Sequence, residues 1–274
     1  DFADLTVDGS IATGAAVSVM LIRAGVSPIA TLPIAFLAGA LAGMVTGLLN
    51  TALGIPGILA SILTQISLYS INLNIMGKAN QPVSVDNYPL VVSLRYVTDG
   101  SVSRLLFFLG MIVFLLALIA VMYWYFGTEQ GHAIRATGCN SNMARAQGIN
   151  TSFIKVLALM ISNGLVGLCG ALYGQFQGAS DVNMGRGAIV IGLAAVIIGE
   201  VLFGKFASKR KLAFAFTLAS VILGAVIYYM VYQFVLWLKM PSEDMKLFSA
   251  IVVAIFLAIP YLKEKRTLRK GASK

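Results

Sequence analysis

Long apolar runs alternate with shorter polar segments along almost the whole chain. A helix needs roughly 20 mostly apolar residues to cross a bilayer core about 30 Å thick. Eight runs approach that length: Gly9 to Gly25, Ile29 to Asn50, Ile55 to Ile75, Arg104 to Phe126, Ser152 to Phe176, Gly187 to Phe203, Leu212 to Leu238 and Met245 to Leu262. None shows the two-residue alternation of a membrane barrel strand, and backbone groups in lipid must be hydrogen-bonded internally. The pattern predicts an all-α polytopic membrane helix bundle of about eight transmembrane helices, forming a single transmembrane domain over residues 1–274.

The composition supports a membrane protein. Hydrophobic residues make up 58% of the chain and charged residues 11%, with a mean hydropathy of +0.87, whereas soluble domains carry about 25% charged residues. These values exclude a soluble domain, a disordered chain and a disulfide scaffold. Cys139 lies in a polar segment and Cys169 in an apolar run, so we expect no bridge between them. Because the chain starts with DFADLTVD, without Met or a signal peptide, we expect an earlier segment before it, with a whole transmembrane helix as one alternative.

The net charge of +9 has a membrane explanation. In a soluble protein 20 Lys plus Arg against 11 Asp plus Glu would suggest nucleic acid, but in a membrane protein basic residues mark the cytoplasmic loops. We therefore expect contact with membrane lipid and no nucleic acid. Placing the loop after the fourth run in the cytoplasm puts most basic residues on one side, including the tail 263–274. The C-terminus is then cytoplasmic, while the N-terminal topology stays open.

The two longest loops differ in kind. Residues 77–103 contain Pro82, Asp86 and Pro89 and predict a structured external connection. Residues 127–151 form the cytoplasmic loop, where Asn142 to Gln147 are compatible with two helical turns. Asn140 or Ser141 is placed to cap that helix and Gly148 to end it. A helix this short is unstable alone in water. It is therefore either an ordinary loop helix or one that docks into a partner.

Residues that could carry out catalysis are scarce. Glu200 is the only acid well inside a run, and His132, the only histidine, lies in a loop. The chain has no His-Glu-x-x-His, Gly-x-Ser-x-Gly or P-loop pattern. We therefore expect no enzyme activity. Proton-coupled transport also loses support because it usually needs a relay of ionisable residues. We expect Glu200 to reach the membrane interface from the end of its helix.

Glycines and polar residues interrupt the apolar runs. Gly39, Gly43 and Gly47, and likewise Gly170 and Gly174, have the spacing of close helix packing, either within the bundle or in a dimer. Seven polar residues are candidates for a translocation path: Thr46, Asn50, Ser61, Thr64, Gln65, Asn163 and Gln175. Such side chains more often hydrogen-bond neighbouring helices or their own backbone. Asp4 and Asp8 are expected to cap the helix that follows them.

Three motifs carry a family resemblance. Gly131 to Gly148, followed by Ile149 and Asn150, resembles the coupling-helix region of permease subunits of bacterial ABC importers, in the family that contains branched-chain amino acid and ribose permeases. Asp4 to Ser10 is similar to the Asp-Leu-Ser-Val-Gly segment of that family, and Gly192 to Gly204 to its late glycine-rich helix. At Asp8 the ribose-type pattern usually has Gly. The variant found here looks closer to a subgroup often associated with amino acids.

This resemblance implies a type II ABC importer-like fold and a transport function. The chain would be the permease that translocates a small solute, most simply an amino acid, in the bacterial inner membrane. Its partners would be an extracytoplasmic substrate-binding protein, a second permease copy or paralogue, and cytoplasmic ABC ATPase subunits that hold ATP and Mg²⁺. The chain itself would bind no cofactor and no metal. The implied coupling residues are Arg135, Ala136, Gly138, Asn140, Met143, Ala144, Arg145 and Gly148. The alternative is an ATP-independent secondary transporter or channel.

A short internal similarity suggests a repeat. Asp181 to Gly187 follows the same order of acidic, aliphatic, polar and small residues as Asp4 to Ser10. Five predicted spans separate the two copies, and an odd number gives them opposite orientations in the membrane. This is the arrangement of inverted repeats whose interface holds the translocation path. A chance match is the alternative.

Overall fold

The structure, a computed structural model, describes residues 3–84, 86–93, 101–207 and 213–237 and the single positions 251, 254 and 258. Within these residues the helices are α1 (Val7–Arg23), α2 (Pro28–Thr51), α3 (Gly57–Met76), α4 (Ser101–Phe126), α5 (Glu129–Cys139), α6 (Ser141–Ala146), α7 (Thr151–Gln177), α8 (Ala188–Ala207) and α9 (Ala213–Trp237). Two short strands, β1 (Asn80–Pro82) and β2 (Ala179–Asp181), complete the elements. The chain forms two compact units, Asp1–Arg186 and Gly187–Lys274.

The first seven apolar runs are helices, which confirms the all-α membrane fold. Among the described residues, α2, α3, α7 and long apolar stretches of α4 and α9 are long and apolar enough to cross a membrane. Two runs fall short of the predicted span length: α1 has 17 residues, and the apolar part of α8 covers only Ala188–Leu202. The eighth run, Met245 to Leu262, lies outside the described residues apart from the three single positions, and so does the basic tail 263–274.

Glycines bring the backbones of α1 and α2 against α7. A methyl group at Gly14 would stand 1.9 Å from the carbonyl oxygen of Gly167, and one at Gly43 would stand 2.2 Å from that of Leu159. A methyl group at Gly170 would likewise stand 2.1 Å from the Ile11 carbonyl oxygen. Such contacts leave no room for a side chain, and small residues are what allow membrane helices to approach this closely. The predicted packing within the bundle is confirmed for Gly43 and Gly170, whereas the contact at Gly14 was not predicted.

The loop after α3 is structured where the structure describes it. β1 pairs antiparallel with β2, so that Asn80 lies opposite Asp181, and this small sheet was not predicted. The loop side chains Val83 and Leu90 pack against Val19 and Ile22 near the end of α1. The loop and the turn after α7 therefore close over one end of the helices. The expectation of a structured connection is confirmed for the described part of residues 77–103.

The second unit contains α8 and α9. A methyl group at Gly199 of α8 would stand 2.3 Å from the Ser220 carbonyl oxygen, and one at Gly224 of α9 would stand 2.1 Å from the Ala195 carbonyl oxygen. Buried Ala194, Ile198 and Tyr228 fill the space between the two helices. The same principle, glycine against backbone, therefore packs both units.

Candidate functional site: the coupling segment and a cavity beside α3

The coupling segment, residues 127–151, contains two short helices joined at Asn140. The Asn140 side-chain oxygen accepts the backbone N–H groups of Asn142 and Met143, both at 3.1 Å, and so caps α6. Gly148, at φ +84°, ends the segment's second helix because it adopts a left-handed conformation that other residues avoid. The predicted helix, its cap and its end are confirmed. It covers Ser141–Ala146, one residue earlier at each end than predicted.

The first helix of this segment, α5, was not predicted. The Thr128 hydroxyl accepts the Gly131 N–H at 3.4 Å, and Glu129 stands in the first turn, where an acid interacts favourably with the helix dipole. These are ordinary start signals for a helix. Gly131 and Gly138 obscured them, because glycine costs a helix interior about 1 kcal/mol relative to alanine.

Most of the predicted coupling residues are accessible. Seven of the eight are exposed, namely Arg135, Ala136, Gly138, Asn140, Met143, Arg145 and Gly148. Ala144 is only 2% exposed, whereas the neighbouring Met143 is 61% exposed. One side of α6 is therefore packed on the bundle and the other side is open. Their role in contacting an ATPase stays a prediction.

The coupling segment is tied directly to α7. The Arg145 guanidinium donates to the Thr151 hydroxyl at 3.3 Å, and Thr151 is the first residue of α7. The Asn150 side-chain oxygen accepts the Phe153 N–H at 3.1 Å and caps the same helix. The end of α6 is thereby linked to the start of α7, which is in turn packed on α1 and α2.

Buried hydroxyl groups join three helices. Thr46 Oγ1 lies 2.8 Å from Thr6 Oγ1 and 2.9 Å from Thr64 Oγ1. All three side chains are 3% exposed or less. Thr46 and Thr64, both predicted path residues, thus link α2 to α3 and, through Thr6, to the start of α1.

Asn163 makes a second buried link. The Ser10 hydroxyl donates to its side-chain oxygen at 2.7 Å, and its amide nitrogen donates to the Asp4 carboxylate at 2.7 Å. Asp4 also accepts the N–H of Thr6, which is the N-cap residue of α1 and makes no side-chain cap bond. The prediction that Asp4 is the cap residue of α1 is therefore wrong. Its carboxylate instead connects the start of α1 to α7 through Asn163.

Three more path candidates also have partners within the protein. The Gln175 side chain accepts the Val91 N–H at 3.0 Å and donates to the Ser18 hydroxyl at 3.2 Å. The Ser61 hydroxyl donates to its own helix, at the Ile58 carbonyl oxygen. The Asn50 amide donates to the Ile55 carbonyl oxygen at 2.8 Å, which fastens the turn between α2 and α3.

Gln65 is the path candidate that lines a cavity. The cavity has a volume of about 300 Å³ and lies between the first turn of α1, the second half of α3 and the turn after β2. Its walls include four polar residues that were not selected from the sequence: Asp8, Tyr69, Asn72 and Arg186. Gln65, Tyr69 and Asn72 have the spacing of one helix face, which was the available signal. Among the described residues no group of three or more His, Cys, Asp or Glu could hold a metal ion.

The two copies of the internal similarity form the same local turn. The Asp4 carboxylate accepts the N–H of Thr6 at 2.9 Å, and the Asp181 carboxylate accepts the N–H of Asn183 at 2.7 Å. The second copy also touches the first, because a methyl group at Gly185 would stand 1.9 Å from the Asp8 carbonyl oxygen. The wider prediction of inverted repeats stays a prediction.

The chain is similar to known proteins over most of its length. The family described as branched-chain amino acid transport system, permease component, matches residues 2–260. A tyrosine transport system permease protein of Clostridioides difficile (strain R20291) is 39% identical over 258 residues, which are 94% of this chain and 82% of the relative. An uncharacterized protein of Rickettsia prowazekii (strain Madrid E) is 31% identical, with coverage of 93% and 86%. The autoinducer 2 import system permease protein LsrC of Yersinia pseudotuberculosis (serotype O:3, strain YPIII) is 28% identical, with coverage of 85% and 62%. No solved structure matches.

These matches agree with the helical fold. The family match extends over nearly the whole chain, and the described residues include several helices able to span a membrane. Members of such a family are transport components of the membrane rather than catalysts. The chain therefore belongs to the family of permease components of branched-chain amino acid transport systems.

Proposed function

We propose that the chain is the membrane-spanning subunit of an ATP-driven ABC importer for a small solute, with an amino acid as the solute class. An extracytoplasmic binding protein delivers the solute, and a second permease copy or paralogue completes the path. Two cytoplasmic ATPase subunits bind ATP and Mg²⁺. This subunit binds neither and converts the movement of its partners into alternating access. It lies in the bacterial inner membrane with its C-terminus in the cytoplasm.

One observation carries this proposal: the coupling segment is exposed on one side and anchored on the other. Its helices are fixed by the caps at Thr128 and Asn140. Ala144 is buried against the bundle while Met143 is exposed, so a partner can bind α6 without unfolding it. A rigid, capped element that presents one open face is what a mechanical contact between two subunits requires.

The packing of α7 supports transmission from this contact. Four residues separate α6 from α7, and the α7 backbone touches those of α1 and α2 at glycines. Close-packed interiors transmit strain because they have few voids to absorb it. A movement of the coupling segment would therefore shift α7, α1 and α2 together, and the cavity beside α3 is bounded in part by α1.

The choice of an amino acid rests on the relatives. The tyrosine transport permease is 39% identical to this chain, and the autoinducer 2 permease is 28% identical. The higher identity and the fuller coverage favour the amino acid. The cavity of about 300 Å³ is at the small end of ligand sites, which run from about 300 to 1,000 Å³.

The test uses two matched substitutions on α6. Met143→Asp places a charge on the open face, and Asn142→Asp places the same charge on its exposed neighbour. We expect Met143→Asp to abolish co-purification of the ATPase subunits and ATP-driven uptake of labelled amino acid into proteoliposomes, and Asn142→Asp to leave both in place. Uptake by the purified chain without ATPase subunits would instead support a secondary transporter or channel.

A further inference from the structure

The cavity beside α3 is lined by a residue, Asn72, whose buried side-chain amide has no hydrogen-bond partner among the described residues. Asn72 is 1% exposed, and neither its side-chain nitrogen nor its oxygen has a hydrogen-bond partner among the described residues. Burying an amide without a partner is costly, and buried polar groups are nearly always satisfied. Asn72 lines the cavity, but its amide nitrogen and oxygen are covered. A ligand in the cavity therefore bonds this amide only when the Asn72 side chain turns toward it.

Two opposite charges line the same cavity. Asp8 stands in the first turn of α1, and Arg186 follows the turn after β2. The backbone contact between Gly185 and Asp8 holds these two segments together. Arg186 is exposed. The cavity therefore offers a carboxylate, a guanidinium and an amide within one small volume.

Both charges stand near the middle of the bundle along the direction of its helices. The Ser10 hydroxyl bonds Asn163, which is twelve residues beyond the start of α7 and hence about 18 Å along a helix of about 40 Å. Asp8 is two residues from Ser10, so it stands near mid-depth. Arg186 follows Gly185, whose backbone contacts that of Asp8. Arg186 therefore lies at the same level as Asp8. Ionisable groups at this depth are costly and face a cavity or a partner rather than lipid.

The helix that faces these charges, α3, exposes polar as well as apolar side chains in the same region. Among the helices able to span the membrane in the described residues, α3 is the least apolar. In its second half Ser67, Ser70 and Asn74 are exposed. Lipid-facing surfaces are normally apolar, whereas polar faces mark paths and interfaces. On α3 the open side of the cavity borders a mixed surface, polar at Ser70 and apolar at Ile66.

We propose that this cavity binds the zwitterionic head of a free amino acid. Asp8 faces the α-ammonium group and Arg186 the α-carboxylate, and the Asn72 side chain turns to hydrogen-bond the head between them. Tyr69 and Gln65 border the space for the side chain of the amino acid. A guanidinium is the best side-chain partner for a carboxylate because of its paired donors. This assignment rests on the proposed transport function, and adds to it the place in the chain where the amino acid binds and the groups that select it.

The experiment measures protection of a cysteine placed in the cavity wall. Ser70→Cys is introduced with Cys139→Ser and Cys169→Ser, in the full chain assembled with its ATPase subunits in lipid nanodiscs. Labelling by a maleimide is followed with three probes: phenylalanine, phenethylamine, which lacks the carboxylate, and 3-phenylpropanoate, which lacks the ammonium group. Ser67→Cys, on the same helix but outside the cavity lining, is the matched control.

We expect phenylalanine to slow the labelling of Ser70→Cys by about tenfold at about ten times its dissociation constant, as mass action requires. The two analogues slow it far less, and none of the probes affects Ser67→Cys. Asp8→Asn and Arg186→Gln each remove the protection by phenylalanine. An unchanged labelling rate for Ser67→Cys in these variants shows that the local fold is intact.

Two results overturn the site: no protection by phenylalanine up to its solubility limit, or equal protection by all three probes. Persistence of protection in both charge variants also overturns it. Uptake by the complete transporter is measured in parallel. ATP-driven amino acid uptake without protection refutes the cavity and leaves the proposed function standing. Protection without any ATP-driven uptake refutes the proposed function and leaves the cavity.

Discussion

The contact between α2 and α7 makes Gly43→Ala a sharp test of the packing. The new methyl group would stand 2.2 Å from the Leu159 carbonyl oxygen, where ordinary contact begins at 3.4 Å. The shortfall is about 1.2 Å, and the obstacle is backbone, which cannot rotate away as a side chain does. The two helices must therefore separate along their line of contact.

The expected change in the free energy of unfolding is the difference between two opposing contributions. Overpacking a tight interior costs about 1–3 kcal/mol, while replacing glycine by alanine favours a helix by up to about 1 kcal/mol. We expect Gly43→Ala to lower the free energy of unfolding by about 1–2 kcal/mol. The control is Gly110→Ala in α4, because no atom lies within 4 Å of the position of its methyl group. That substitution should leave stability unchanged or slightly raised.

The assay is unfolding of the purified protein in mixed detergent micelles as the fraction of sodium dodecyl sulfate rises, followed by tryptophan fluorescence. Trp124 and Trp237 lie on α4 and α9 and not on the two helices of this contact. Circular dichroism is therefore recorded as well, because it follows the unfolding of all the helices. A Gly43→Ala protein as stable as the wild type would refute the reasoning. So would a Gly110→Ala protein that loses as much stability as Gly43→Ala.

Three further predictions concern the buried links and the coupling segment. Gln175→Leu leaves the Val91 N–H without its partner, whereas the Ser18 hydroxyl and the Pro28 carbonyl oxygen keep their bonds to Thr31. The same unfolding assay should show a loss of about 1–3 kcal/mol, and unchanged stability contradicts this. Arg145→Glu should abolish ATP-driven uptake while the amount of protein in the membrane, measured by immunoblot, stays normal. Thr151→Val removes only the bond from Arg145 and should keep most uptake; equal loss in both variants would assign Arg145 a purely structural role.

Local signals in the sequence were enough for several elements. The apolar runs predicted the seven long helices α1–α4 and α7–α9, because a membrane span depends on composition more than on distant contacts. Asn140 and Gly148 predicted the bounds of α6 within one residue, since a cap acts on neighbouring backbone groups. The spacing of Gly39 and Gly43 predicted close helix packing, and both residues do meet the backbone of α7.

Features that depend on distant parts of the chain were not predictable in this way. β1 pairs with β2 across about a hundred residues, and neither strand has a distinctive pattern. The cavity brings Asp8, Asn72 and Arg186 together from three separate elements. The polar residues inside the runs gave no indication of which face is open. Thr46, Asn163 and Gln175 proved to be buried and hydrogen-bonded, whereas Gln65 borders the cavity.

The central claim is that the coupling segment faces the cytoplasm and contacts an ATPase. Cys139 is a free, exposed thiol within that segment, so its accessibility tests the claim directly in a Cys169→Ser protein. A maleimide that cannot cross membranes should label Cys139 in inverted vesicles but not in right-side-out vesicles, and bound ATPase subunits should slow the labelling. Labelling from the outer side, or a rate that the ATPase subunits leave unchanged, would contradict the account.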